Sequence, residues 1–172
     1  LIDRKMEAVG MKPDPKTAGK RSLFMDIYAT EAIAHMQKYG TTREQFAAVP
    51  AKNSRAGAHN PRSQFRNVTT IEEVLAMRAI IWPPTLPMCS PIGDGAAAVI
   101  LVSPKKAREL GLSRCVEITA SVLQTSWDYP EGEEALVFQK AFAQIYEEAG
   151  LGPADLDVVE LHDASASSEI LH

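Results

Sequence analysis

The sequence predicts a layered α/β fold whose first third is helix and loop. Three observations point there. From Ala96 onward the apolar patterns run strand, short helix, strand, helix, strand, helix, the order that builds a sheet covered by helices. Residues 1–66 carry helix and loop signals and stay outside that alternation. Between the two lies "WPPTLPMCSPIGDG" (82–95), with four prolines and two glycines in 14 residues, which no regular helix or central strand tolerates.

The elements follow in order. Residues 1–21 are irregular, broken by Gly10, Pro13, Pro15 and Gly19. A helix over Leu23–Tyr39 places Met25, Ala29, Ala32, Ile33 and Met36 on one face, and Gly40 is its C-cap. Thr41 and Glu44 have capping-box spacing for the next helix, which Pro50 ends or kinks. "GAHNPRSQFRN" (57–67) is a loop punctuated by Asn60-Pro61, and Thr70 with Glu73 opens a further short helix. "AAAVILVS" (96–103) has the continuous apolar character of a strand buried on both faces. Pro104–Leu110 is a short helix, and residues 115–124 alternate Val116, Ile118, Ala120 and Val122 as a strand does. Glu134–Gly150 is an amphipathic helix with Phe138, Ala141, Phe142, Ile145 and Ala149 on its apolar face. "LDVVELH" (156–162) is a strand, and a last helix begins near Ala164. Leu1 at the start and the short final helix predict an internal piece of a longer protein.

Composition narrows the function classes. The longest apolar run, Ala96–Val102, is far shorter than the ~20 residues a membrane-spanning helix needs. Cys89 and Cys115 fit neither a disulfide framework nor a metal-ligand spacing, which predicts a reducing compartment and no metal. Both read as buried structural thiols. Net charge is −4, which disfavours a nucleic-acid partner. Charge is nevertheless uneven: residues 1–66 hold twelve Lys or Arg against six acids, and no acid stands between Glu44 and Glu72. Lys52, Arg55, Arg62 and Arg66 there form either a solvated surface or a lip that attracts an anion.

Two further positions read in two ways. His162-Asp163 stands where a strand gives way to a helix, the place where open α/β sheets put ligands. On position alone His162 is either a ligand-facing donor or a histidine hydrogen-bonded in a turn. Ser90 precedes Pro91 and is either a binding hydroxyl or a turn serine. Asp94-Gly95 reads as a capped tight turn into the strand.

Three stretches together resemble the thiolase family. "MCSPIGDGAAAVILVS" (88–103) is similar to the thiolase segment in which a Ser and Asp-Gly-Ala-Ala-Ala run into a core strand. "DLDVVELHDASASSEI" (155–170) is similar to the stretch that leads to His-Asp-Ala-Phe or Asn-Glu-Ala-Phe. "HMQKYGTTREQFAAVPAKNSRAGAHNPRSQFRN" (35–67) resembles the loop domain of sterol-carrier-type thiolases. The resemblance covers essentially the whole chain, in the family's order.

The resemblance implies a fold of two α/β/α halves with a helical loop domain inserted in the first. Residues 1–66 would be part of that insertion, 67–106 the end of the first half, and 107–172 the start of the second. It implies an acyl-CoA C-acyltransferase that makes or cleaves the carbon–carbon bond of a 3-ketoacyl-CoA through a cysteine acyl-enzyme. In the family the nucleophilic cysteine precedes the loop domain, and the second cysteine follows the His-Asp-Ala region, so neither matches Cys89 or Cys115. His162 would be catalytic, donating in an oxyanion hole to the thioester oxygen. Ser90 would meet the pantetheine arm, and Arg62 and Arg66 would serve the anionic end of coenzyme A. No permanent cofactor is implied, with coenzyme A and acyl-CoA as substrates. The expected partners are a second copy or more of the same chain and a small accessory protein, with no membrane and a cytoplasmic or, in a eukaryote, peroxisomal location. A retro-aldolase on a steroid or lipid side-chain CoA thioester, and a non-catalytic lipid or acyl-CoA carrier, are the alternatives on this fold. One position departs from the family: Ser165 replaces the usual Phe, which predicts a roomier or more polar acyl pocket.

Overall fold

The computed structural model describes residues 2–12, 22–125 and 136–172. Its helices are α1 (Ile2–Ala8), α2 (Leu23–Tyr39), α3 (Arg43–His59), α4 (Ile71–Ala76), α5 (Pro104–Glu109), α6 (Leu136–Ala149) and α7 (Ala166–Leu171), with 3-10 turns at Leu86–Met88 and Pro153–Asp155. The chain divides into one unit of residues 1–94 and 160–172 and a second of 95–159.

The first unit holds the core. α2 follows the expected face: Ala29, Ala32 and Ile33 are buried, with Met25 and Met36 half-buried. Its end is set by Gly40, at φ 72°, whose N–H bonds the Met36 carbonyl. α3 starts one residue later than the spacing predicts. Thr42, not Thr41, is the N-cap, in a reciprocal box with Gln45. Thr41 instead bonds the His35 ring at 2.8 Å. Pro50 does not end α3, which runs through it to His59. A proline inside a helix costs about 3 kcal/mol, and burial of Phe46, Ala47, Val49 and Ala51 around it offsets that loss. The Thr70–Glu73 box opens α4 as the spacing predicts. The first residues are not irregular, since α1 forms there and buries Met6; Pro13, Pro15 and Gly19 lie outside the described residues.

The proline-rich stretch is held by side chains and short bridges. Ala79 and Thr85 pair as an antiparallel bridge. Thr85 is fully buried and its hydroxyl donates to the Val74 carbonyl at 2.8 Å. Ala32, Phe46, Ala47, Val49, Val74, Met88 and Ala166 form one cluster, so α7 closes a core begun by α2, α3 and α4.

The second unit does not show the expected sheet. Among the described residues no strand ladder forms: 96–103, 115–124 and 156–161 are not paired as strands. Val99, Ile100, Val116 and Leu123 are each more than four-fifths exposed. A doubly buried strand needs neighbours on both edges and cover on both faces, and these segments have neither. Cys115, expected to be buried, is exposed for the same reason. α6 forms over its described part, yet Phe138 and Phe142 on its apolar face stay exposed. The expected start of this helix at Glu134 lies outside the described residues. Gly95 has no positive φ, so no left-handed turn leads into residues 96–103.

Candidate functional site

The segment 162–165 is built from both sides. Cys89 pairs with Ser165 in an antiparallel bridge, and the Ser90 N–H donates to the Ala164 carbonyl at 3.1 Å. Two stretches more than 70 residues apart in sequence therefore meet at their polar residues. Ser165 then starts α7. Its backbone is extended (φ −142°, ψ 151°), and its hydroxyl accepts from the Ser167 N–H at 3.4 Å and lies 3.0 Å from the Ser167 hydroxyl. The Ser167 hydroxyl donates to the Tyr28 carbonyl of α2 at 3.4 Å. Ser165 and Ser167 are buried.

Beside this junction lies a cavity of about 700 Å3. Val49, Phe65, Val74, Met77, Leu86 and Met88 supply its apolar wall. Asn53, Gln64, Ser90 and Asp163 bring polar groups to it. Its size lies within the range of small-molecule sites, and an apolar wall with a few convergent polar groups is their usual composition. The loop that carries Ser63, Gln64, Phe65 and Asn67 into the wall is tied to α3 by Ser54. The Ser54 hydroxyl accepts from the Thr69 N–H at 3.0 Å and lies 2.8 Å from the Ala51 carbonyl.

The residues singled out from the sequence fall as follows. Ser90 and Asp163 line the cavity. His162 is exposed, one residue before Asp163, and its ring has no hydrogen-bond partner among the described residues. Arg62 and Arg66 are exposed and flank the lining residues Ser63–Phe65. The Arg62 backbone N–H donates to the Asn60 side chain at 2.9 Å, and the Arg66 guanidinium reaches the Ala58 carbonyl at 3.4 Å. Ser165 does not line this cavity; it lies buried beside Ala32 of α2 and Phe46 of α3, its hydroxyl 3.0 Å from that of Ser167. Cys89 lines the cavity half-buried, and burial pushes its thiol above the usual range, so the thiolate is disfavoured. Such a thiol is a poor nucleophile at neutral pH.

Sequence reasoning missed Asn53. Its amide reaches Asp163 Oδ2 at 3.4 Å and Glu169 Oε2 at 3.5 Å, while Lys52 Nζ pairs with Glu169 Oε1 at 2.8 Å. The available signal was its place four residues after Val49, on the α3 face that lines the cavity.

No family profile matches the chain. Among curated proteins, it is 34% identical over 148 residues to benzoylsuccinyl-CoA thiolase subunit BbsB of Thauera aromatica, covering 84% of this chain and 38% of that protein. It is 38% identical over 153 residues to sterol carrier protein 2 of Oryctolagus cuniculus, covering 84% of this chain and 28% of that protein. It is 38% identical over 152 residues to acetyl-CoA acetyltransferase of Methanothermobacter thermautotrophicus, covering 86% of this chain and 39% of that protein. The chain thus spans between about a quarter and two fifths of the length of these relatives. With its Ser90 and His162-Asp163 segments brought together beside one cavity, the chain belongs to the thiolase and sterol carrier protein 2 family.

Proposed function

We propose that the complete protein is an acyl-CoA C-acyltransferase of the thiolase type, acting on a 3-ketoacyl-CoA. The observation that carries this reading is the cavity that Ser90 and Asp163 share, one residue from His162. In this reading the apolar wall takes the acyl chain and Ser90 meets the amide-bearing arm of coenzyme A. Arg62 and Arg66 offer charge to its phosphates. Cleavage of the carbon–carbon bond leaves negative charge on the thioester oxygen, and a preorganised donor such as His162 lowers that barrier by several kcal/mol. The acyl group passes to a cysteine outside these residues, consistent with the raised thiol of Cys89.

A second reading is a non-catalytic carrier of a lipid or acyl-CoA, supported by the likeness to sterol carrier protein 2 and by the apolar wall. The complete protein, mixed with a 3-ketoacyl-CoA and coenzyme A, separates the readings. Turnover to two acyl-CoA products supports the thiolase. Saturable binding without turnover supports the carrier. The matching 3-hydroxyacyl-CoA is the third arm: release of its ketone or aldehyde half without added coenzyme A identifies a retro-aldolase and overturns the first reading.

A further inference from the structure

The His162 ring has no hydrogen-bond partner among the described residues, so its direction is set by the backbone that carries it. That backbone is held at two points just after it. Ser90 takes the Ala164 carbonyl from one side. On the other, α3 takes the carboxylate of Asp163 through the Asn53 amide at 3.4 Å. The same amide nitrogen faces Glu169 Oε2 at 3.5 Å, and Lys52, the residue before, holds Glu169 Oε1 at 2.8 Å. Two adjacent residues of one helix thus address two carboxylates on both flanks of the α7 N-terminus. A neutral amide with two N–H donors suits this place, because a carboxylate there would repel both neighbours and a methyl group would leave them unlinked. The two amide contacts are long. Hydrogen bonds of catalytic sites are often long without ligand and tighten when it binds.

We infer that Asn53 is a positioning residue: through Asp163 it fixes the segment that aims His162 at the substrate. The inference rests on the thiolase reading for its kinetic consequence, and on geometry alone for its effect on residues 162–166.

The experiment uses the complete protein with Asn53→Ala, Asn53→Asp, Asp163→Asn and the double variant Asn53→Asp/Asp163→Asn. Asn53→Ala is expected to lower kcat about 10-fold, the scale of a small misplacement, with KM for the 3-ketoacyl-CoA little changed. Asn53→Asp, equal in shape, is expected to lose more, and adding Asp163→Asn to recover part of that loss by reversing donor and acceptor. Hydrogen exchange of the 162–166 amides is the second measurement. It should quicken in Asn53→Asp and slow again in the double variant. A raised KM with unchanged kcat, or unchanged exchange in Asn53→Asp, makes Asn53 a plain wall of the cavity and overturns the inference. Wild-type protein without turnover sinks the thiolase reading instead, and the exchange data still decide the positioning role.

Discussion

The backbone N–H of Ser90 donates to the carbonyl of Ala164 at 3.1 Å. This bond joins the proline-rich stretch to the residue two after His162. It turns two separate sequence motifs into one wall.

If that wall is catalytic, His162 serves chemistry more than stability. In the complete protein His162→Ala should lower kcat/KM by roughly 10²-fold or more, the scale for losing an oxyanion donor. The melting temperature should barely move, since the ring is exposed and unbonded. Activity within about threefold of wild type, against that scale, removes His162 from the mechanism.

Arg62 and Arg66 stand exposed beside cavity-lining residues. Replacing both with Ala should raise KM for acyl-CoA and leave kcat nearly intact, as for lost uniform binding. The effect should fade as salt rises, because exposed charges are screened. An unchanged KM at low salt returns both arginines to the solvated surface.

The two thiols should separate in labelling. In the isolated chain Ellman's reagent should reach exposed Cys115 well before Cys89, whose thiol is half-buried and raised above its ordinary value of 9.0. The raised value keeps Cys89 protonated as pH climbs through that range, so its rate should still be rising there. In the complete protein Cys115 should become slow, if residues 115–124 gain strand neighbours. Equal Cys115 rates in the two proteins would mean that this segment stays uncovered.

The isolated chain should expose apolar surface. Val99, Ile100, Val116, Leu123 and Val158 are all largely exposed, on segments that read as strands. Such segments pair with other chains when nothing else covers them. The isolated chain should bind a hydrophobic dye, grow in size by light scattering and show no thiolytic activity. A dye-silent monomer with one sharp unfolding transition would contradict this.

The helical elements were legible because their signals are local. Gly40 and the Thr70–Glu73 box each act within one turn, and both appear where the residues place them. Thr41 misled because Thr42 next to it can cap as well, and His35 claims the Thr41 hydroxyl. Pro50 misled because its cost is local while the compensating burial of Phe46 and Val49 comes from α2, α4 and α7. The expected strands do not show in this chain for the opposite reason. Alternation reports which faces of a segment are apolar, not whether another strand is present to pair with it. At the site, Ser90 and His162 stood out through motif context, whereas Asn53 has no such context and emerges only when α3 and α7 are seen together.

α7 completes a core whose other members belong to the first 94 residues, with residues 95–159 intervening in sequence. During synthesis the ribosome must therefore deliver residues 95–165 before Ala166 can dock, and until then the groove among α2, α3 and α4 stays open to chaperones. Once docking occurs, the intervening stretch is a closed loop, and doubling its length would add only about 0.6 kcal/mol of closure entropy. Residues 95–159 can thus be lengthened or trimmed at little thermodynamic penalty to the register of Ser90 against Ala164, while a change of one residue between Ala164 and Ala166 would shift that register outright.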